Sequence, residues 1–345
     1  MELEMWLSIL EEKDASDLHL CSQSYPYLRI NGEITRVEEY GILKTEELKK
    51  TIYSVLSDYQ IKEFEKKGNI DFGIENGRCR FRCNVYRHLK GIGVALRKIP
   101  SEIKSFSELG LPPVLEELSM QRKGLVVVTG PAGSGKSTTL ASMIHHINRN
   151  RKAHIITIED PIEFVHEDIN CLINQREVGR DTLSFADALR SALREDPDVI
   201  LVGEMRDLET ISLAIEASST GHLVLSTLHT IGSAKTVDRM IDVFPSEEQN
   251  HIRSLLADVI AGVVSQILFK RKDNSGRIPA VEVMVATTAI RNLIREGKTH
   301  QIPSIIETGS KYGMKSMVDS ITNLVQKGLI SQEDALYHLS ALGRG

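Results

Sequence analysis

The sequence predicts an α/β protein in two parts. A small α+β unit spans residues 1–99, and from 124 a mostly parallel sheet carries helices on both faces. Three observations lead there. From 124 onwards the apolar runs LVVVT, HIITIE, VILVG and HLVLST alternate with helical stretches, the pattern of a parallel sheet. The first run leads into GPAGSGKSTT, a glycine-rich loop that opens a helix. Before it, Asn31-Gly32 and Asn76-Gly77 sit between strand-like runs, and such pairs tolerate the positive φ of a two-residue hairpin turn.

In chain order, Met5 to Leu10 starts an amphipathic turn or two, and ASDLHLCSQSYPYLRI reads as extended. Asn31-Gly32 then links YLRI to EITRV. Glu46 to Lys66 places Leu48, Ile52, Val55, Leu56, Tyr59 and Phe64 at helical spacing. Asn76-Gly77 links IDFGIE to RCRFRCNVYR, and GVALRKI closes the unit before Pro100. Residues 100–123 read as a linker stiffened by Leu111-Pro112-Pro113. Residues 124–345 form the second domain. Within it His251 to Phe269 reads as one long packing helix. The tail from Gly309 is helical, with Gly328 as a C-cap and Ser331 and Asp334 as a weak capping box.

Length and composition bound the function. With 345 residues, 41% hydrophobic and 26% charged, the chain has the material for two ordinary globular domains. Lys and Arg total 42 against 47 Asp and Glu, and a net charge of −5 argues against a nucleic-acid partner. The acidic start MELEMWLSILEEKD lacks a secretory n-region, and no run reaches the ~18 apolar residues of a membrane span. The expected location is cytoplasmic, without direct membrane insertion. Cys21, Cys79, Cys83 and Cys171 form no CxxC pair and read as core thiols.

The chemistry collects at strand ends. Gly130, Gly135, Lys136 and Ser137 match the phosphate-loop pattern G-x-x-x-x-G-K-[ST]. Its glycines let backbone N–H groups curl around an anion, and the helix that follows points its positive end at the same place. Gly133, Ser134, Gly135, Lys136, Ser137 and Thr138 are therefore the expected nucleotide-binding set. Lys136 would neutralise the β- and γ-phosphates of ATP, and Ser137 would offer its hydroxyl to Mg²⁺. Glu204 ends the run DVILVGE, an apolar strand finishing in a carboxylate that can hold Mg²⁺ through water or orient the attacking water. Asp160 and Glu163, in IEDPIE, end the preceding strand, and either could share the metal or the water. His222 and His229 bracket HLVLST, His229 where a γ-phosphate sensor would sit. Arg80, Arg82, Arg87 and Arg97 crowd the first unit, either as a solvated face or as arginine fingers.

Four motifs together resemble the secretion ATPases of type II secretion and type IV pili, over nearly the whole chain. GPAGSGKSTT resembles their Walker A, ITIEDPIE their Asp box, LREDPDVILVGEMRD their Walker B and TGHLVLSTLHT their His box. ASDLHL, RFRCN, TVDRMIDVFP and AIRNLIREGK are similar to the pilus retraction branch. LFKRKDNSGR stands where many assembly and secretion members carry a tetracysteine zinc segment. Ala132 and Cys83 depart from the family's usual Thr and Val, and neither change removes a charge.

The resemblance implies a homo-hexameric ring with a PAS-like N-terminal domain and a RecA-like C-terminal one, ATP lying between them near the next subunit. It gives Glu204 the role of catalytic glutamate and Glu163 that of the Asp-box acid and possible metal ligand. His222 and His229 would couple phosphate state to domain position. Arg82 and Arg97 would approach the nucleotide, and Arg239 would be a weaker subunit-boundary contact. The implied partners are an inner-membrane pilus platform protein and a sister retraction ATPase, holding the motor at the membrane peripherally. The resemblance implies that the AIRNLIREGK helix is needed for retraction in this branch, and packing of its apolar stripe Ala289, Ile290, Leu293 and Ile294 is the competing explanation.

Overall fold

A computed structural model describes residues 3–341 except 14, 31–32, 77–78, 100–101 and 274. It divides into two compact units. One is Met1–Glu102 with Pro161–Val165, the other Ile103–Asp160 with His166–Gly345.

The N-terminal unit is built on an antiparallel six-stranded sheet. Its strands are β1 (Asp17–Cys21), β2 (Tyr27–Ile30), β3 (Glu33–Arg36), β4 (Asn69–Asn76), β5 (Cys79–His88) and β6 (Gly91–Ile99). Their order is β3-β2-β1-β6-β5-β4. The hairpins β2–β3 and β4–β5 form as the Asn-Gly signals predict, though Asn31, Gly32 and Gly77 themselves lie outside the described residues. Strand alternation sends Leu18, Leu20, Leu28, Phe81, Cys83, Val85, Val94 and Leu96 to one face. There they meet Trp6, Leu7 and Leu10 of the helix Leu3–Glu12, together with Ile52 and Phe64.

The 46–66 run is two helices rather than one, Thr45–Tyr53 and Asp58–Lys67. Ser57 breaks it by forming a capping box with Gln60, each side chain satisfying the other residue's backbone N–H.

The second unit holds a seven-stranded sheet. Its strands are β7 (Gly124–Thr129), β8 (His154–Glu159), β9 (Leu172–Glu177), β10 (Val199–Val202), β11 (Leu223–Leu228), β12 (Ile260–Lys270) and β13 (Arg277–Val285). The order is β13-β12-β7-β11-β10-β8-β9, parallel throughout except for the β12–β13 pair. The phosphate-loop strand β7 thus lies between β12 and β11, the RecA-like arrangement. β7, β10 and β11 are buried along their whole length, so each apolar side chain adds about 1.5–3 kcal/mol of burial.

Residues read as linker fold into this unit: Phe106, Leu111, Val114, Leu115 and Leu118 pack with Val126, Val128 and Ile144. The helix Met317–Gln326 ends at Gly328, whose φ of 67° is the left-handed conformation the C-cap reading requires.

The reading of 251–269 is overturned as well. His251 to Phe269 is not a single helix: Gln249–Val259 is helical, and β12 begins at Ile260. Ile260, Val263, Val264 and Ile267 are β-branched, which favours a pleated surface. Gly262 lets this strand lie against its neighbours, for a Cβ there would stand 2.9 Å from Leu118 Cδ2 and 3.0 Å from Met284 O.

Candidate active site

The carboxyl ends of β7 and β11 lie level, and β10 ends two residues short of them. Val202 pairs with Ser226, Ser226 with Val127, and Leu228 with Thr129. The phosphate loop after β7, Glu204 after β10 and His229 after β11 therefore emerge on the same edge of the sheet, where ligands of such sheets collect.

The loop has the shape its glycines predict. Gly133 and Gly135 have φ of 74° and 88°, and Gly135 caps the helix Lys136–Asn150. A Cβ on Gly130 would come within 2.2 Å of Gln266 O and 2.7 Å of Ser134 Oγ, so no side chain fits there. Lys136 Nζ donates to Gly130 O at 2.9 Å and Pro131 O at 3.1 Å, which curls the loop around the ammonium. Ser134 Oγ is buried with no hydrogen-bond partner in the protein. A phosphate oxygen is the kind of acceptor that hydroxyl lacks, so the loop fits a nucleotide. Ser137 and Thr138, in the first turn of the helix, are half-buried.

Glu204 is held between Arg206 and His229. Arg206 Nη2 lies 2.9 Å from one carboxylate oxygen and His229 Nε2 3.0 Å from the other. Burial alone pushes the Glu204 carboxyl up, but Arg206 and then His229 outweigh it and hold it below the usual range. Glu204 is thereby kept ionised. Asp160, at the end of β8, acts on Arg206 electrostatically. Thr227 Oγ1 donates to Gly203 O at 2.6 Å and Met205 N to Thr227 O at 3.1 Å, which fixes the turn that presents Glu204. The Ser137 hydroxyl and the Glu204 carboxylate are hard oxygen donors suited to Mg²⁺ alongside phosphate.

The remaining candidates fall elsewhere. His222 precedes β11 at the opposite edge of the sheet, its Nδ1 beside Ala217 O at 2.9 Å and Thr220 Oγ1 at 3.2 Å, and so is not brought to the loop. Arg239 is exposed on the helix Ser233–Asp242. Glu163 belongs to the segment that packs with the N-terminal unit, where its Oε1 lies 3.8 Å from Arg82 Nη1.

Arg82 and Arg97 are direct partners on β5 and β6, and Arg97 also pairs with Asp17 on β1. Directly opposed residues share a face, so both guanidinium groups stand on the face away from the apolar core. Arg97 Nε donates to Asp17 Oδ1 at 2.7 Å, and Arg29, opposite Asp17 on β2, completes the row at 3.9 Å. Arg80 is buried, while Arg87 pairs with Glu65.

Three residues escaped the sequence reading: Arg206, Asp17 and Gln266. Arg206 follows Glu204 by two positions, a basic residue beside a strand-end acid, and that spacing was the available signal. Gln266 was hidden by reading its strand as helix.

A family model described as Type II/IV secretion system protein matches residues 4–337. The chain belongs to that family. It is 50% identical to the type IV pilus retraction ATPase PilT of Pseudomonas aeruginosa, over 97% of each chain. It is 49% identical to a twitching motility protein of Neisseria gonorrhoeae, over 90% of this chain and 83% of the relative. Among solved structures, the pilus retraction motor PilT with bound ADP superposes with a TM-score of 0.91 at 45% identity, covering 98% of this chain and 96% of that one. Within the secretion ATPases, then, this chain stands with the retraction branch, and its N-terminal and RecA-like units are the family's. No helix among the described residues is long and apolar enough to cross a membrane.

Proposed function

We propose that this chain is the ATP-hydrolysing motor of type IV pilus retraction, working as a hexameric ring. One observation carries the reading: an ionised carboxylate, Glu204, stands at the same sheet edge as a complete phosphate loop, in a chain alike from end to end to a retraction ATPase. Lys136 and the loop backbone bind the phosphates, and Glu204 orients and deprotonates the attacking water. Mg²⁺, held by Ser137 and through water by Glu204, would neutralise phosphate charge. His229, on Glu204, responds to the γ-phosphate. Glu163 and His222 take the Asp-box and His-box roles, and Arg239 a subunit-boundary contact.

Arg82 and Arg97 stabilise charge on the transferred phosphoryl group. Because they belong to a unit with no phosphate loop of its own, activity depends on assembly. Domain movement driven by the nucleotide cycle pulls on an inner-membrane platform protein, alone or with a sister ATPase. The motor reaches the membrane through those partners.

Deletion of the gene in the source cell tests the direction of work. Retraction predicts surface pili in excess and lost twitching. Cells without pili would assign the chain to assembly instead.

A further inference from the structure

We propose that Gln266 is a positioning residue for the phosphate loop, making the β12 strand the second wall of the nucleotide cradle. The inference rests on the nucleotide reading above and adds a residue that touches the loop rather than the ligand. Gln266 is a polar side chain, 2% exposed, in the apolar run of β12 next to β7. Both ends of its amide are used. Nε2 donates to Ser134 O at 2.6 Å, and Oε1 accepts from Thr139 Oγ1 at 2.8 Å. One side chain therefore ties the crown of the loop to the first turn of its helix.

The geometry explains what this tie does. In a trans peptide the C=O and the following N–H point in opposite directions. Holding Ser134 O towards Gln266 turns the Gly135 N–H away from it, to the side where the loop can offer its N–H groups to an anion. The fit is close on two more counts. A Cβ on Gly130 would lie 2.2 Å from Gln266 O, and one on Gly135 would lie 2.7 Å from Gln266 Nε2. Gly130 and Gly135 are thus required by this strand as well as by their own backbone angles.

Replacing the amide removes the donor that fixes the Ser134 peptide and leaves two buried polar groups unpartnered. In the full chain, Gln266→Leu should bind fluorescently labelled ADP at least ~10-fold more weakly. Gln266→Glu keeps the acceptor but loses the donor, and should weaken binding by a similar factor. Thr139→Val removes one bond of the two, leaves the core volume nearly unchanged, and should cost about 3-fold. Thermal unfolding without nucleotide separates this from a packing role, which would lower the unfolding temperature and leave ADP affinity alone. Wild-type affinity in folded Gln266→Leu, or in both Gln266→Glu and Thr139→Val if the first does not fold, would overturn the inference alone. A wild-type chain that fails to bind ADP would overturn the nucleotide reading, and this inference with it.

Discussion

The two sheets keep their polar groups in different places. In the seven-stranded sheet β7, β10 and β11 are buried throughout and carry no charged side chain, so the ionisable groups sit in the loops at their carboxyl ends. In the six-stranded sheet only one face is apolar. The other carries Arg29, Asp17, Arg97 and Arg82 as consecutive cross-strand partners, in the body of the strands. Loops can supply varied residue types and can move with a ligand. A row fixed by ladder register presents charge at set spacing. The first arrangement suits bond-breaking, the second the stabilisation of charge.

The largest effect should follow from removing the phosphate-loop cation. Lys136→Ala should bring steady-state phosphate release below about one part in 10³ of wild type. A folded variant that turns over normally would place the chemistry somewhere other than the strand ends.

Next comes the arginine row. Arg82→Ala and Arg97→Ala should each lower turnover by about 10³-fold. The first should hardly move the urea midpoint, since Arg82 is substantially exposed. The second should also lose about 2 kcal/mol of stability with its hydrogen bond to the buried Asp17 carboxylate. If turnover holds, the row is only a solvated face, and the contrast between the sheets loses its functional meaning.

Asp17 gives a smaller and pH-dependent effect. Burial raises its carboxyl, but the hydrogen bonds from Arg97 and Ser16 outweigh this and leave it lower than normal. An acid depressed on folding contributes stability that is full above its unfolded value and is lost as pH falls through the lower folded one. Asp17→Asn should cost about 2 kcal/mol at pH 7, as for a hydrogen bond to a charged group. The gap between variant and wild type should then begin to close below about pH 4 and narrow further as pH falls. Urea unfolding at pH 7 and pH 3 would show it, and a gap independent of pH would contradict the assignment. The smallest effect belongs to Arg36→Ala: the exposed pair with Glu38 should leave the urea midpoint unchanged.

The same contrast explains what the sequence could disclose. Strands buried on both faces announce themselves as apolar runs, and β7, β8, β10 and β11 stand where those runs predict. β9 is a half-exposed edge strand of mixed residues and gives no such run. β12 is apolar enough for either structure, and only its β-branched residues and Gly262 favoured the strand. At the site, Lys136 and Glu204 follow from local motifs. The Asp17–Arg97 and Gln266–Ser134 contacts join residues 80 and 132 positions apart. Strand register creates the first, and the packing of β12 beside β7 and its loop creates the second. His222 shows the converse: a place in a motif did not bring it to the loop.

The central claim, that a phosphate loop and a separate carboxylate divide binding from hydrolysis, is tested most directly by Glu204→Gln. The substitution keeps size and hydrogen-bonding capacity and removes the base. Labelled ATP should bind at near wild-type affinity while steady-state turnover falls by about 10²-fold or more. Normal turnover by Glu204→Gln, with turnover lost in Glu163→Gln instead, would move the catalytic role to the Asp box and contradict the account.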